Sequence, residues 1–285
     1  MNKPPFDHFL SSSLPRLAPL ALRGALIAGA AALLSACASP GALDIDRSVQ
    51  ARSQSSRVEV IVLHYTSSNN QVSLKVLSQK NVSSHYLITD GARPRIYQLV
   101  DENQRAWHAG ISQWCGRTYL NANSIGIELV NEGPNGALWA PYPPSQIKVL
   151  AALLQDIIKR HRIKSVNIVG HSDVAPQRKI DPGPLFPWKQ LANAGIGRWY
   201  DESAAALHQN DFERNGLPDT LWIQQQLSLA GYSVPDSGML DPATKNAIRV
   251  FQMHYRPSRY DGEPDAQTLA ILRALNDSSD TAARC

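Results

Sequence analysis

The sequence has few cysteines and no apolar run long enough to cross a membrane. Its three cysteines are Cys37, Cys115 and Cys285 in a chain of 285 residues. Because Cys285 is the last residue, where chains are commonly frayed, its pairing with Cys115 is a weak signal and we expect no structural disulfide. The apolar stretch at residues 24–36 is too short for a transmembrane helix, which needs roughly 20 residues.

The sequence also lacks a strong excess of one charge. The formal net charge is +4 at pH 7, and no cluster of Lys and Arg marks a basic surface, so nucleic acid is not an expected partner. Hydrophobic residues make up 43% of the chain, which excludes global disorder. The length fits one or two domains, and no pattern requires more than a monomer.

The N-terminal region has the pattern of an export signal. Arg16 and Arg23 precede the apolar stretch, and small residues follow it, which is typical of a secretory signal. The four residues that end at Cys37, Leu-Ser-Ala-Cys, resemble the bacterial lipobox. This resemblance implies that residues 1–36 are a lipoprotein signal peptide, that Cys37 is lipidated, and that the protein is anchored in the outer membrane facing the periplasm. An ordinary signal peptide or a short anchor is the alternative.

The central part of the chain has the pattern of a mixed α/β domain. Residues 37–56 carry little apolar periodicity and predict a tether, whereas regular structure begins at the strand VEVIVLHYT. An amphipathic helix is predicted over residues 144–163, where apolar residues recur at helical spacing. Strands are predicted at 58–66, 84–90, 95–100, 124–130 and 165–170. We therefore expect an α/β fold over residues 57–198, with a mixed central sheet flanked by helices.

The C-terminal part contains an internal repeat. The pattern Gly-x-x-Asp-x-x-Thr occurs at Gly238 and again at Gly262, with the aspartate placed to cap a new helix. We expect an all-α domain of three helices over residues 217–276, after a linker at 199–216 and before a tail at 277–285. With its Phe-Gln dipeptide, the segment resembles the peptidoglycan-binding domain 1 family; a three-helix bundle that binds nothing is the alternative.

Three residues at predicted strand ends and in one loop are candidate metal ligands. His64 ends the first strand, and His171 follows the last one directly. Asp181 lies in the stretch HSDVAPQRKIDPGPLFPW, which is expected to be an irregular loop stiffened by its prolines. A catalytic zinc site takes three such ligands and leaves one position for water. Each residue alone is more often an ordinary structural residue, so spacing by itself is weak evidence.

Glu128 and Lys179 are candidate catalytic residues. Glu128 lies within the apolar strand SIGIELV, where a carboxylate is costly unless it is paired or lines a cleft. Partial burial would raise its pKa toward the range of a general base, and Gly126 on the same face would leave room for a substrate. Lys179 could stabilise an oxyanion. A solvent-facing glutamate and a solvated loop lysine are the alternatives.

Five motifs in order resemble the type 2 family of N-acetylmuramoyl-L-alanine amidases. The motifs are HYT, SSHYLI, AWHAG, SIGIELVN and HSDVAPQRKIDPGPLFPW. The resemblance implies one Zn²⁺ per chain held by His64, His171 and Asp181, with Glu128 and Lys179 as catalytic residues. It also implies a substrate, the amide between the lactyl group of N-acetylmuramic acid and the L-alanine of the stem peptide in peptidoglycan or muropeptides.

Three further residues lie in these motifs and have expected roles, and two rival functions stay open. Trp107 and His108 are predicted to form a wall of the substrate cleft, and His85 to be a supporting or packing histidine. One rival is a lipoprotein that only binds peptidoglycan, as related recognition proteins without the metal do. The other is a zinc peptidase that cuts within the stem peptide, and the product of digestion distinguishes it from an amidase.

Overall fold

A computed structural model describes residue 43, residues 45–136 and residues 138–285. The chain divides into two compact units, Met1–Ser53 and Gln54–Cys285. The described residues of the first unit contain neither helix nor strand. The predicted signal peptide and Cys37 lie outside the described residues. Among the helices that the structure describes, none has the length and apolar character that a membrane crossing requires.

A five-stranded mixed sheet forms the centre of the second unit. The strands of this sheet are β1 (Val60–Tyr65), β2 (Tyr86–Ile88), β3 (Ile96–Gln98), β6 (Ser124–Leu129) and β9 (Ile168–Gly170). Their spatial order is β3-β2-β6-β1-β9, with β3 antiparallel to β2 and the other neighbours parallel. Two small hairpins complete the strands: β4 (Gln113–Trp114) with β5 (Arg117–Thr118), and β7 (Pro134–Asn135) with β8 (Leu138–Trp139). The predicted mixed sheet is confirmed.

Both faces of β1 are buried, which explains its nearly continuous apolar sequence. Ile61 and Leu63 pack on one face with residues of the long helix α2 (Pro144–His161), including Leu150. Val60 and Val62 pack on the other face with a second cluster, which includes residues of the C-terminal helices. The sheet is therefore covered by helices on both sides, and helices from the end of the chain contribute to the cover on the valine side.

Eight α-helices surround the sheet in the described part of the chain. They are α1 (Asn70–Gln79), α2 (Pro144–His161), α3 (His171–Val174), α4 (Trp188–Asn193), α5 (Glu202–Asn215), α6 (Thr220–Leu229), α7 (Pro242–Tyr255) and α8 (Ala266–Asn276). The predicted helix at 144–163 is α2. It is held to the sheet by buried Gln146, whose amide donates hydrogen bonds to the carbonyl oxygens of Ile88, Thr89 and Val130.

Two segments predicted as irregular are helical. Residues 199–216, predicted as a linker, contain α5, which is capped by Asp201 and packs against α8. Its buried Phe212 contacts the ring of Trp222 edge-on, so this helix belongs to the packed structure. The stretch that begins at His171 was expected to be a loop, but its first four residues form α3.

The internal repeat has a common hydrogen-bond pattern. Asp241 caps α7 through the amide of Thr244, and Asp265 caps α8 through the amide of Thr268, so the predicted capping role of both aspartates is confirmed. Two buried glutamines, missed at the sequence level, complete the pattern. The side chain of Gln224 forms hydrogen bonds with Gly238 and Thr244, and the side chain of Gln252 forms the equivalent hydrogen bonds with Gly262 and Thr268. We call residues 217–276 the helical module.

The C-terminal residues are ordered, and the expectation of no structural disulfide is wrong. Cys115, in the turn between β4 and β5, is bonded to Cys285, with their Cα atoms 5.3 Å apart. The predicted tail forms a 3₁₀ turn at Thr281–Ala283, and the carbonyl oxygen of Ala283 accepts a hydrogen bond from Arg198. The long sequence separation made this pair look improbable, but the fold places the hairpin beside the C-terminus.

Candidate metal centre

Two of the candidate ligands and Glu128 lie at the carboxyl ends of three neighbouring strands. In the register of β1 and β6, His64 is directly opposite Glu128. In the register of β1 and β9, Leu63 is opposite Gly170, so His171 follows at the next position. The parallel arrangement brings these side chains to one edge of the sheet.

Three ligand atoms converge at this edge. The Nδ1 atoms of His64 and His171 are 3.0 Å apart, and the Oδ2 atom of Asp181 lies 3.0 Å from the first and 3.1 Å from the second. All three residues are buried. The loop that returns the chain to Asp181 ends in a cis peptide bond to Pro182. The structure therefore brings together the three residues that the sequence singled out as metal ligands.

The hydrogen bonds of His171 leave one of its ring nitrogens free for a metal. Its Nε2 faces the carbonyl oxygen of Ala109 at 3.1 Å; because a carbonyl oxygen only accepts, Nε2 carries the proton and donates. In the neutral ring, Nδ1 is then an unprotonated acceptor. Such a bond from the distal nitrogen to a backbone carbonyl is the usual support of a metal-ligating histidine.

A chain of hydrogen bonds gives His64 the same tautomer. Ser124 donates its hydroxyl proton to the carbonyl oxygen of Leu120, so its oxygen accepts from Nε2 of His108 at 3.2 Å. Nδ1 of His108 then accepts from Nε2 of His64 at 3.1 Å. Burial, with the neighbouring histidines, lowers the pKa of His108 well below its usual value, which keeps the ring neutral. Nδ1 of His64 is therefore also an unprotonated acceptor.

The donor set fits a divalent metal. Burial and the neighbouring His171 lower the pKa of His64 to about 4, so this ring is neutral at physiological pH. Burial alone would raise the pKa of Asp181, but the two histidines outweigh burial and hold it below its usual value. Nδ1 of the neutral His64 ring, Nδ1 of His171 and a carboxylate oxygen of Asp181 thus face one another, and this set of two histidines and one carboxylate matches a zinc site.

Glu128 lies beside the ligands with a free carboxyl oxygen. Its Oε2 atom is buried and has no hydrogen-bond partner. Burial and the charge of Asp181 raise the pKa of Glu128 well above its usual value, while Lys179 opposes the rise. An unpartnered carboxyl group at the floor of a cleft is suited to accept and return a proton. Such a group is costly to bury without a function.

A cleft of about 540 Å³ opens above the ligands. Its lining includes Lys179 and Trp107, and the indole of Trp107 is 58% exposed. The guanidinium of Arg105 lies over that ring at 5.7 Å. Apolar residues of α1 and the following loop, among them Val72 and Val82, form another part of the wall. Both predicted residues thus lie where a substrate would bind, and their roles stay predictions.

His108 borders the cleft, but its ring lies mainly behind His64. A Cβ atom added at Gly126 would lie 2.4 Å from Cγ of His108, so the space that the sequence suggested for substrate at Gly126 is filled by this imidazole. His85 accepts a hydrogen bond from the amide of Gly126 and packs edge-on against His108. His85 is thus a supporting histidine, as expected.

Sequence reasoning missed the groups that support the ligands. The carbonyl oxygen of Ala109 accepts hydrogen bonds from both His171 and Arg178. Because this oxygen belongs to the backbone, the type of residue at this position does not indicate the role. Asp173, two residues after His171, is buried and accepts hydrogen bonds from Gly170, Tyr232 and His254. Only its position inside a motif of polar residues could have drawn attention to it.

Comparisons with known proteins agree with this site. The profile of a family described as N-acetylmuramoyl-L-alanine amidase matches residues 54–184, and that of a peptidoglycan binding domain matches residues 216–272. The chain is 44% identical to the N-acetylmuramoyl-L-alanine amidase AmiD of Escherichia coli (strain K12) over 265 residues, which cover 87% of this chain and 95% of that protein.

Two solved structures share most of the fold. The crystal structure of AmpDh3 from Pseudomonas aeruginosa has a TM-score of 0.78 and 41% identity, and the match covers 83% of this chain and 98% of that one. The complex of AmiD from E. coli with the substrate anhydro-N-acetylmuramic acid-L-Ala-D-gamma-Glu-L-Lys has a TM-score of 0.74 and 45% identity, and the match covers 81% of this chain and 93% of that one. The described core, including the helical module, is therefore an arrangement found in other proteins.

Proposed function

This chain belongs to the family of N-acetylmuramoyl-L-alanine amidases, and we propose that it hydrolyses, with zinc, the amide bond between the lactyl group of N-acetylmuramic acid and the L-alanine of the stem peptide. The substrate is peptidoglycan or its fragments, and the role is cell wall turnover. The observation that carries the proposal is the convergence of ligand atoms from His64, His171 and Asp181 beside the free carboxyl oxygen of Glu128.

The residues around the ligands have complementary roles in amide hydrolysis. When bound, zinc supplies a Lewis acid that polarises the scissile carbonyl group and acidifies water. Glu128 accepts the proton of the attacking water at Oε2 as the carbon–oxygen bond forms. It then delivers that proton to the nitrogen of L-alanine as the carbon–nitrogen bond breaks, so that the products are a free lactyl carboxylate and a peptide with a free amine.

Lys179 and Trp107 act on the substrate from the walls of the cleft. The ammonium group of Lys179 stabilises the negative charge that develops on the carbonyl oxygen during attack. The exposed indole of Trp107 offers a flat apolar surface for the muropeptide, and His108 keeps His64 in its ligating tautomer from behind. These roles are supported by the lining of the cleft and by the hydrogen bonds of His108.

The cellular location is a second part of the proposal. We propose that residues 1–36 are removed as a signal peptide and that a lipid on Cys37 anchors a monomer to the outer membrane, with the enzyme facing the periplasm. The lipobox pattern supports this assignment. Residues 37–56 would then connect the lipid to the catalytic unit. Growth with radiolabelled palmitate, followed by membrane fractionation, tests the assignment, since a Cys37→Ala variant should lose both label and membrane association.

Digestion of muropeptides tests the proposed reaction. Wild-type protein should release an intact stem peptide with a free L-alanine amine, detected by mass spectrometry, whereas a stem-peptide cleavage product would overturn the assignment. Glu128→Gln should retain zinc but lose at least 100-fold in kcat, because the proton transfer is removed. The exposed Glu132 is on the same segment, so Glu132→Gln is the matched control and should keep wild-type activity. Zinc-free wild-type protein should be inactive until zinc is restored.

A further inference from the structure

The segment that carries two of the three ligands is bonded to the helical module at two places. We call residues 171–181 the ligand loop, since it begins at His171 and ends at Asp181. Near its start, Asp173 accepts hydrogen bonds from Tyr232 and His254 of the module. Further along, the amide of Gln177 donates to the carbonyl oxygen of Ala243 at 3.0 Å and accepts from Asn246 at 2.9 Å. Both partners of Gln177 lie in the first turns of α7.

Asp173 is a buried carboxylate whose hydrogen bonds come from both sides of this contact. Its Oδ2 atom accepts from the amide of Gly170 at 2.7 Å, which fixes the residue that precedes the ligand His171. The same oxygen accepts from Nδ1 of His254 at 2.9 Å, and Oδ1 accepts from the hydroxyl of Tyr232 at 2.8 Å. Only 1% of Asp173 is exposed, so the two side chains of the module replace the water that would otherwise solvate this charge.

The donors of the module are themselves rigidly held. The ring of His254 is stacked on that of Trp188 at 3.8 Å and on that of Tyr255 at 4.1 Å. Tyr232 lies edge-on to Trp114. All five of these residues are buried, and tightly packed neighbours of this kind hold a functional group within a narrow range of positions.

The end of α3 is also covered by the module. Val174 and Ala175 are buried in the same apolar cluster as Phe251 and Leu269 of α7 and α8. Thus α3 has a buried polar contact at its start and a buried apolar contact at its end, and both involve the helical module. A four-residue helix has too few internal hydrogen bonds to hold its own orientation.

We infer that the helical module positions His171 for metal binding by holding Asp173 through Tyr232 and His254. The module is then part of the catalytic machinery, in addition to any contact with the cell wall. Tyr232 and His254 are positioning residues, since they touch neither the ligand atoms nor the cleft. This inference rests on the proposed zinc site and extends it to residues more than 50 positions away along the chain.

Zinc affinity of the full chain tests the inference without reference to turnover. Tyr232→Phe removes only the hydroxyl, and His254→Phe keeps the stacked ring but removes the Nδ1 donor. Each should weaken zinc binding, measured by competition with a chromophoric chelator, by about 10-fold, the lower end of the range for residues that support metal ligands. The absorption spectrum of the Co²⁺-substituted protein should change as well, because it reports ligand geometry.

A second histidine–aspartate pair provides the matched control. Nε2 of His208 in α5 bonds Oδ2 of Asp277 at 3.0 Å, at the surface and outside the ligand loop. His208→Phe should leave zinc affinity and the Co²⁺ spectrum unchanged. If Tyr232→Phe and His254→Phe, both folded by circular dichroism, keep zinc affinity within twofold of wild type, the inference is wrong while the zinc site stands. If wild-type protein binds no zinc, the proposed function itself is wrong, and this inference with it.

Discussion

At the scale of single residues, the site depends on protons that its neighbours hold in place. His64 and His171 offer Nδ1 to the metal because their Nε2 atoms donate to His108 and to the carbonyl oxygen of Ala109. The ring of His108 can lie beside His64 only because the residue of β6 that it packs against is Gly126, which has no side chain. A glycine in a central strand weakens it, so its presence here is explained by the close approach of the histidine.

Gly126→Ala should therefore destabilise the protein by about 1–3 kcal/mol, the usual cost of overpacking. The added Cβ would lie 2.4 Å from Cγ of His108, and the ring would have to move. Urea denaturation of the metal-free protein measures the change. In a His108→Ala background the same substitution should cost markedly less, because the space is empty there. Equal costs in the two backgrounds would show that His108 is not the obstacle.

At the scale of elements, the last turn of α2 is fastened to the loop after β3 by a network around Glu102. Its carboxylate accepts hydrogen bonds from Arg160, from the hydroxyl of Tyr86 at 2.6 Å and from His161 at 2.8 Å. The side chain of Glu102 is only 13% exposed. Burial alone would raise the pKa of Glu102, but these donors outweigh burial and lower the pKa to about 2.

This network predicts a loss of stability in acid. A carboxyl group with a lowered pKa in the fold stabilises the protein above its ordinary pKa of 4.5, and the contribution disappears as the pH falls from about 4.5 to about 2. Glu102→Gln should therefore be less stable than wild type by about 1 kcal/mol at pH 6, and the difference should shrink at pH 2.5. Urea titrations at both pH values measure it. The exposed Glu132→Gln control should match wild type in stability at pH 6. A difference for Glu102→Gln that stays constant from pH 6 to pH 2.5 would contradict the prediction.

At the scale of the whole molecule, the catalytic part and the helical module form one compact unit. Valines of β1 and helices α7 and α8 share one apolar cluster, and Arg198 donates to the carbonyl oxygens of Ala230 and Ala283 and to the hydroxyl of Tyr255. The disulfide between Cys115 and Cys285 closes a segment of 170 residues. Such a link removes many conformations from the unfolded chain.

Replacement of both cysteines of this disulfide by alanine should lower the free energy of unfolding by about 2–4 kcal/mol. The expected cause is the larger entropy of the unlinked unfolded chain, so the cleft and zinc affinity should be preserved in the folded variant. Urea denaturation with and without reductant measures the effect. Wild type should lose stability in reductant to the level of the variant, and the variant should not respond. A variant as stable as oxidised wild type would show that the bond contributes nothing.

The fold was accessible from the sequence because it rests on local patterns, and the ligand set because its residues lie in motifs that resemble a known family. Alternating apolar residues predicted the strands, the 3.6-residue period predicted α2, and the repeated aspartates predicted the caps of α7 and α8. The helix α5 was missed because its apolar periodicity is weak and its burial depends on α8. The disulfide was missed because Cys115 and Cys285 are far apart in the sequence and only the fold brings them together.

What the sequence by itself determined is the identity of the chemical groups: two histidines and an aspartate for the metal, a glutamate in an apolar strand and a lysine nearby. Tertiary structure alone decided how those groups are held. The tautomer of His64 depends on His108 and Ser124, and the position of His171 involves Asp173, whose partners come from another part of the chain. The physical reason is that hydrogen bonds and burial are set by neighbours in space, which a pattern along the chain does not contain.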